Sequence, residues 1–121
     1  MRLGELQLRI LQVLWEADAP LAVAEVQRRL QSPLAYTTVA TMLRKMEQRE
    51  LVSHHEEGRR FLYAPRVTAD QVSQSVGRDL VDRIFAGSLS DAVSHLLESR
   101  DVDGAELDAL EQLIREHKER R

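Results

Sequence analysis

The stretch "LAYTTVATMLRKMEQRELV", Leu34 to Val52, decides the fold. Val39, Leu43 and Met46 recur at intervals of four and three, which stacks side chains on one face of a helix and predicts one from about Ala35 to Glu50. At ~100° per residue, Thr37, Thr41, Arg44 and Gln48 fall on the opposite face, with Ala40 and Lys45 on its flanks. No acid lies among them, and Glu47 turns toward the margin of the buried side. The helix would open poorly, because Ala35 offers no side-chain oxygen to the orphan N–H groups of the first turn. Those donors need water, a Thr37 or Thr38 hydroxyl, or an anion such as a DNA phosphate, which the partial positive charge of a helix N-terminus favours. A slim face with hydroxyls near its start and cations further along suits a DNA major groove. Small residues permit close approach there, threonine can bond base edges or touch a thymine methyl, and arginine can reach guanine.

Working outward, Leu6, Ile10 and Leu14 recur from Gly4 to about Ala17, and Leu3, Leu8, Leu11, Val13 and Trp15 widen the apolar surface, which predicts a helix central to a core. Pro20 breaks it, and "VAEVQRRLQ" predicts a short second helix with Val23, Val26 and Leu30 inward. Downstream, in "LVSHHEEGRRFLYAP", two β-prone runs flank Glu57-Gly58, and Gly58 can take the positive φ that a tight turn needs. This predicts a two-stranded wing, closed by Pro65. Three helices followed by a hairpin is the order of a winged helix-turn-helix, here residues 1–66 of a mainly α chain.

A net charge of −3 looks unsuited to nucleic acid, but it is unevenly spread. Through Arg66 there are ten Lys/Arg against eight Asp/Glu, and from Val67 onward seven against twelve, so a phosphate-binding face in the first half is permitted. The chain has no cysteine, which excludes disulfides, thiolate metal sites and cysteine nucleophiles. There is no glycine-rich phosphate loop, HExxH or nucleophile elbow, so no enzyme and no cofactor is expected. His54 and His55 are adjacent on a strand and point to opposite faces, so no metal site is expected of them, and Glu56-Glu57 is expected to be a solvated turn. No apolar run approaches the ~18 residues of a membrane span. The amino-terminal "MRLGELQLRILQVLWEAD" carries acids through its apolar stretch, unlike a signal peptide, so a cytoplasmic protein is expected.

In residues 67–121, Val72, Val76, Leu80 and Ile84 run at i+4 steps, "SLSDAVSHLLES" carries Val93, Leu96 and Leu97, and "GAELDALEQLIREHKERR" carries Leu107, Leu110, Leu113 and Ile114. Three amphipathic helices with one aromatic, Phe85, and no cysteine staples make too small a unit to support its own core readily. A homodimer is the economical solution, with Val76, Leu80, Ile84, Leu97, Leu107, Leu110 and Ile114 as candidate interface positions. Folding back onto the first domain as a monomer is the alternative.

The third helix, "EEGRRFLYAP" and "LGELQLRILQVLWEADAPLAVAEV" together resemble the penicillinase-repressor (BlaI/MecI/CopY type) family of winged-helix transcriptional regulators, over essentially the whole chain. The resemblance implies a recognition helix at 35–50, dimerising C-terminal helices, and a palindromic promoter operator in double-stranded DNA controlling antibiotic-resistance or stress genes. It carries over Thr37, Thr38, Ala40, Thr41 and Arg44 as major-groove positions, with Lys45, Arg59 and Arg60 on phosphate or the adjacent minor groove. Two readings of Thr38 stay open, a base contact or a hydroxyl bonded to its own backbone. Two also stay open for Tyr36, a phosphate contact or packing under the wing. Arg2, Arg28 and Arg29 are weaker candidates, as surface arginines on amphipathic helices usually serve solubility. A regulatory protease is a further partner in certain members, but their Asn-Phe cleavage pair is replaced here by His95-Leu96, so induction by β-lactam does not transfer. The competing function is a winged-helix module for protein interaction without specific DNA binding, since a fold alone does not fix a function.

Overall fold

The computed structural model describes residues 2–121. Its elements are α1 (Glu5–Glu16), β1 (Leu21–Ala22), α2 (Val23–Arg29), α3 (Tyr36–Gln48), β2 (Val52–Glu57), β3 (Arg60–Pro65), α4 (Ala69–Ile84), α5 (Leu89–Glu98) and α6 (Gly104–Glu119). The chain is mainly helical, with one small antiparallel sheet of order β1-β3-β2. It divides into two compact units, residues 1–78 and 79–121, with the boundary inside α4.

The core of the first unit gathers Ile10, Leu11 and Leu14 of α1, Val23 and Val26 of α2, and Val39, Leu43 and Met46 of α3 against Leu51, Val52 and Tyr63. The broad apolar surface of α1 is used on several sides, with Leu6, Leu8, Val13 and Trp15 packed at the edge of that core. Trp15 Nε1 donates to the Val67 carbonyl at 2.9 Å, tying α1 to the chain leaving the wing.

The expected two-stranded wing is a three-stranded sheet. Leu21 and Ala22 pair antiparallel with Tyr63 and Leu62, and burial of Leu21 in the core holds that short strand in place. The hairpin loop also lies one residue later than expected. Glu57 pairs with Arg60, so the two loop residues are Gly58 and Arg59. Gly58 at φ 67° occupies the first loop position, where a II′ turn requires a conformation that glycine adopts without steric cost.

Between α2 and α3 the chain reverses through Gln31 in the left-handed region, at φ 54°. Gln27 Nε2 donates to the Leu34 carbonyl at 2.9 Å and Arg9 Nη2 to the Leu30 carbonyl at 2.8 Å, so two side chains satisfy the carbonyls of this turn. At the far end of α3, Glu50 takes φ 62° and the Leu51 N–H reaches the Met46 carbonyl at 3.0 Å, a Schellman closure that aims the chain into β2.

In the second unit, Ser88 caps α5 by accepting from the Asp91 N–H at 3.1 Å, and Asp103 caps α6 by accepting from the Glu106 N–H at 2.8 Å. Burial is slight. Ala92 is the one buried residue of α5, and α6 has none. Ala86 follows α4 at φ 50°, a left-handed conformation that costs a non-glycine residue ~1–2 kcal/mol. Ala86→Gly should therefore raise stability by ~0.5–1 kcal/mol after the extra chain entropy of glycine is subtracted. A urea midpoint that stays or falls would show that the backbone there carries no strain. Among the described residues no helix is long and apolar enough to cross a membrane.

Candidate nucleic-acid interface

Along α3 the two faces separate as the periodicity requires. Val39, Leu43 and Met46 are fully buried, while Thr37, Thr38, Thr41, Arg44, Lys45 and Gln48 are exposed. Thr37, Thr38, Thr41 and Lys45 line one shallow hollow with Met42. Ala35 stands at the N-cap with extended backbone and gives the first turn no side-chain acceptor. The contrast with α4 is plain, where Thr68 and Gln71 satisfy each other's backbone N–H.

Ala40 is a correction. It is 8 % exposed and its methyl belongs to the core, because the protein packed around α3 covers a wider arc than the Val39–Leu43–Met46 stripe. It therefore contributes its small size, not a base contact.

On the wing side, Tyr36, Arg44, Arg59, Arg60, Phe61 and Tyr63 line a groove of about 370 Å³ with Ala40 and residues 22–24. The fold thus brings Tyr36 and Arg44 of α3 together with the wing arginines, which lie at least fifteen positions away in sequence. Tyr36 is 52 % exposed at this groove. Burial, with the Glu47 carboxylate adding to it, pushes the Tyr63 phenol above its ordinary range, so that side chain stays neutral.

The cations of this unit fall into two groups. Arg28 and Arg29 both bind Glu25, the latter at 2.9 Å, and Arg28 leads in holding that carboxyl at about 2, far below its usual range. Arg49 donates to Gln7 Oε1 at 2.8 Å and to the Arg2 carbonyl, Arg9 is engaged in the helix-turn-helix as described, and Arg66 lies 3.8 Å from Glu50. Arg44, Lys45, Arg59 and Arg60 form no ion pair among the described residues. Arg44 Nη2 instead donates to Thr41 Oγ1 at 3.3 Å, one turn back on the same face. The unneutralised positive charge is therefore concentrated on α3 and the wing.

The candidate pairing positions lie on the second unit's helices and the end of the first. Val76, Ile84, Leu97, Leu107 and Ile114 are exposed, with Ile84 at 68 % and Ile114 at 56 %, and Leu80 and Leu110 are half-buried. Leu89, 65 % exposed, is a further open apolar side chain absent from the sequence-derived set. It shares a cavity with Leu113 and Ile114, which the break before α5 conceals from any periodic pattern within one helix.

A helix-turn-helix whose second helix presents an acid-free face beside a hairpin with free arginines defines a winged-helix DNA-binding protein. The family model described as "Penicillinase repressor" matches residues 3–116, and the chain belongs to that family. It is a DNA-binding transcriptional repressor and not an enzyme. The chain is 26% identical over 122 residues to the penicillinase repressor of Bacillus licheniformis, covering 99% of this chain and 94% of that protein. It is 32% identical over 118 residues to transcriptional regulator BlaI of Mycobacterium tuberculosis, covering 95% and 84%. A crystal structure titled as the predicted DNA-binding transcriptional regulator from E. coli shares the fold, with a TM-score of 0.50 at 18% identity over 64% of this chain and 78% of that one.

Proposed function

We propose that the chain works in the cytoplasm as a homodimer, with residues 1–66 as the DNA-binding domain and 67–121 as the dimerisation domain, on a palindromic promoter operator. Two copies of α3 enter successive major grooves and block access of polymerase to the promoter. Thr37, Thr41 and Arg44 read base edges, Thr38 adds a contact at the helix start, and Tyr36, Lys45, Arg59 and Arg60 bind phosphate or the adjacent minor groove. The supporting observation is the pairing pattern of the cations: those elsewhere in the first 66 residues are largely engaged within the protein, whereas these four are free on one surface. Exposed Ile84, Leu89, Leu113 and Ile114 support pairing through the second unit, since so much open aliphatic surface on a small unit calls for cover. The regulated genes are of the antibiotic-resistance or stress kind that the family's name suggests. A regulatory protease enters the proposal only at His95-Leu96 on α5, where the family's Asn-Phe pair is replaced, so β-lactam induction is not carried over.

Salt dependence tests this against a protein-interaction role. Log K for duplex DNA should fall against log salt by ~0.9 for each phosphate neutralised, and a chain that binds only protein would show no such slope. Arg59→Ala should weaken binding evenly across sequences and reduce the slope by ~1. An unchanged slope in that variant would remove the wing from the interface. Selecting bound fragments from the source genome would then name the operator and the neighbouring genes together.

A further inference from the structure

The recognition helix carries one carboxylate, Glu47, and it does not face solvent freely. Both its oxygens approach His54 Nδ1 on β2, at 2.6 and 2.7 Å. The imidazole is stacked on Phe61 with ring centroids 4.1 Å apart, and tilted against Tyr63 at 5.5 Å. The register explains the cluster. His54 lies directly opposite Tyr63 and diagonal to Phe61, so the three rings share the sheet face that Val52 and Tyr63 bury in the core.

The position of this contact matters more than its strength. β1 pairs only with β3, which leaves β2 as the free edge of the sheet. Beyond His54, the residues from His55 to Phe61 are all exposed, so Glu47–His54 is the last contact to the body of the domain before the arginine-bearing tip. From His54 to the loop is four residues, or roughly 13 Å of strand at about 3.3 Å each. A two-stranded ribbon of that kind is marginal alone and twists readily. We propose that Glu47 and His54 are positioning residues for DNA binding, which rests on the DNA-binding role proposed above: their clasp fixes the wing to the recognition helix, so that Arg59 and Arg60 meet the phosphates flanking the groove that Arg44 enters. The same contact draws the only carboxylate of α3 away from the DNA-facing side.

Electrostatics alone predicts the opposite sign for the decisive variant. Removing an acid ~10 Å or so from DNA should tighten binding slightly, as the Debye length at 0.1 M salt is itself about 10 Å. With a positioning role, Glu47→Ala and His54→Ala should each weaken binding to a duplex of about 30 base pairs by about tenfold and lower the salt slope by ~0.9, the signature of about one lost phosphate contact. Glu47→Gln, which discards the charge but can still hydrogen-bond the imidazole, should restore both values to near those of the wild type. Circular dichroism would confirm that each variant is folded. Alanine variants with wild-type affinity and slope would overturn the clasp, and so would weaker binding at an unchanged slope, which is what a purely structural role gives. A wild-type chain lacking salt-dependent DNA binding would overturn the proposed function, and the clasp's purpose with it.

Discussion

Ile114→Asp should convert the proposed homodimer to monomers and lower operator affinity by about a hundredfold or more. Ile114 is 56 % exposed in the single chain, so aspartate there changes little in the fold of one copy. At a two-fold interface the substitution occurs twice. Each copy gives up ~1.5–3 kcal/mol of aliphatic burial and places an unpaired carboxylate where removal from water costs several kcal/mol, of order more than a small interface can absorb. The two half-sites then bind separately, without the effective concentration that links them, a loss on the order of 10²–10⁴ in affinity. Leu110→Asp should act the same way, but Leu110 is already half-buried within one chain, so folding and pairing would be disturbed together. Sedimentation at micromolar concentration separates the outcomes. An intact dimer for Ile114→Asp, with operator affinity unchanged, would remove this face as the interface.

Periodicity was informative where one helix face met one core. Val39, Leu43 and Met46 are spaced for burial and are buried, and the outward set of α3 follows from them. Ale-like smallness at the flank is where projection fails: Ala40 sits where the core wraps the helix more widely than three residues suggest. The row Val72–Val76–Leu80–Ile84 shows a second failure. It reads as one stripe, yet Val72 is buried in the core of the first unit while Val76 and Ile84 stay open, because spacing cannot tell which neighbour a residue will meet. Strand β1 has two residues, too few for any alternation, and exists only through its register with Tyr63 and Leu62. Glu47 and His54 were each legible as residues and illegible as a pair, because their contact depends on how the hairpin lies against α3. The charge asymmetry between halves was visible; which cations remain free was not, since Glu25, Gln7 and the Leu30 carbonyl occupy theirs only in the fold.

Arg44→Ala should cost ~1–3 kcal/mol of specific binding and relax the preference at one base pair, since a bidentate arginine–guanine contact has that value. Arg44 is exposed and unpaired with any acid, and alanine is the better helix former, so stability should move by less than ~0.5 kcal/mol. Lost affinity is then a loss of contact and not of folded protein. Arg44→Lys discriminates further: the charge remains, so binding to random duplex and the salt slope should hold, but the planar fork that matches guanine is gone and the preference at that base pair should fall nearly as far as with alanine. Thr41 bears on the same result, because the 3.3 Å bond from Arg44 Nη2 to Thr41 Oγ1 sets the direction in which the guanidinium leaves the helix. If binding selections with Arg44→Ala returned the wild-type sequence at wild-type affinity, the outward face of α3 would not be the surface that reads DNA. Free arginines on the wing would then mark a binder of backbone alone, selecting its promoter by the shape of the duplex.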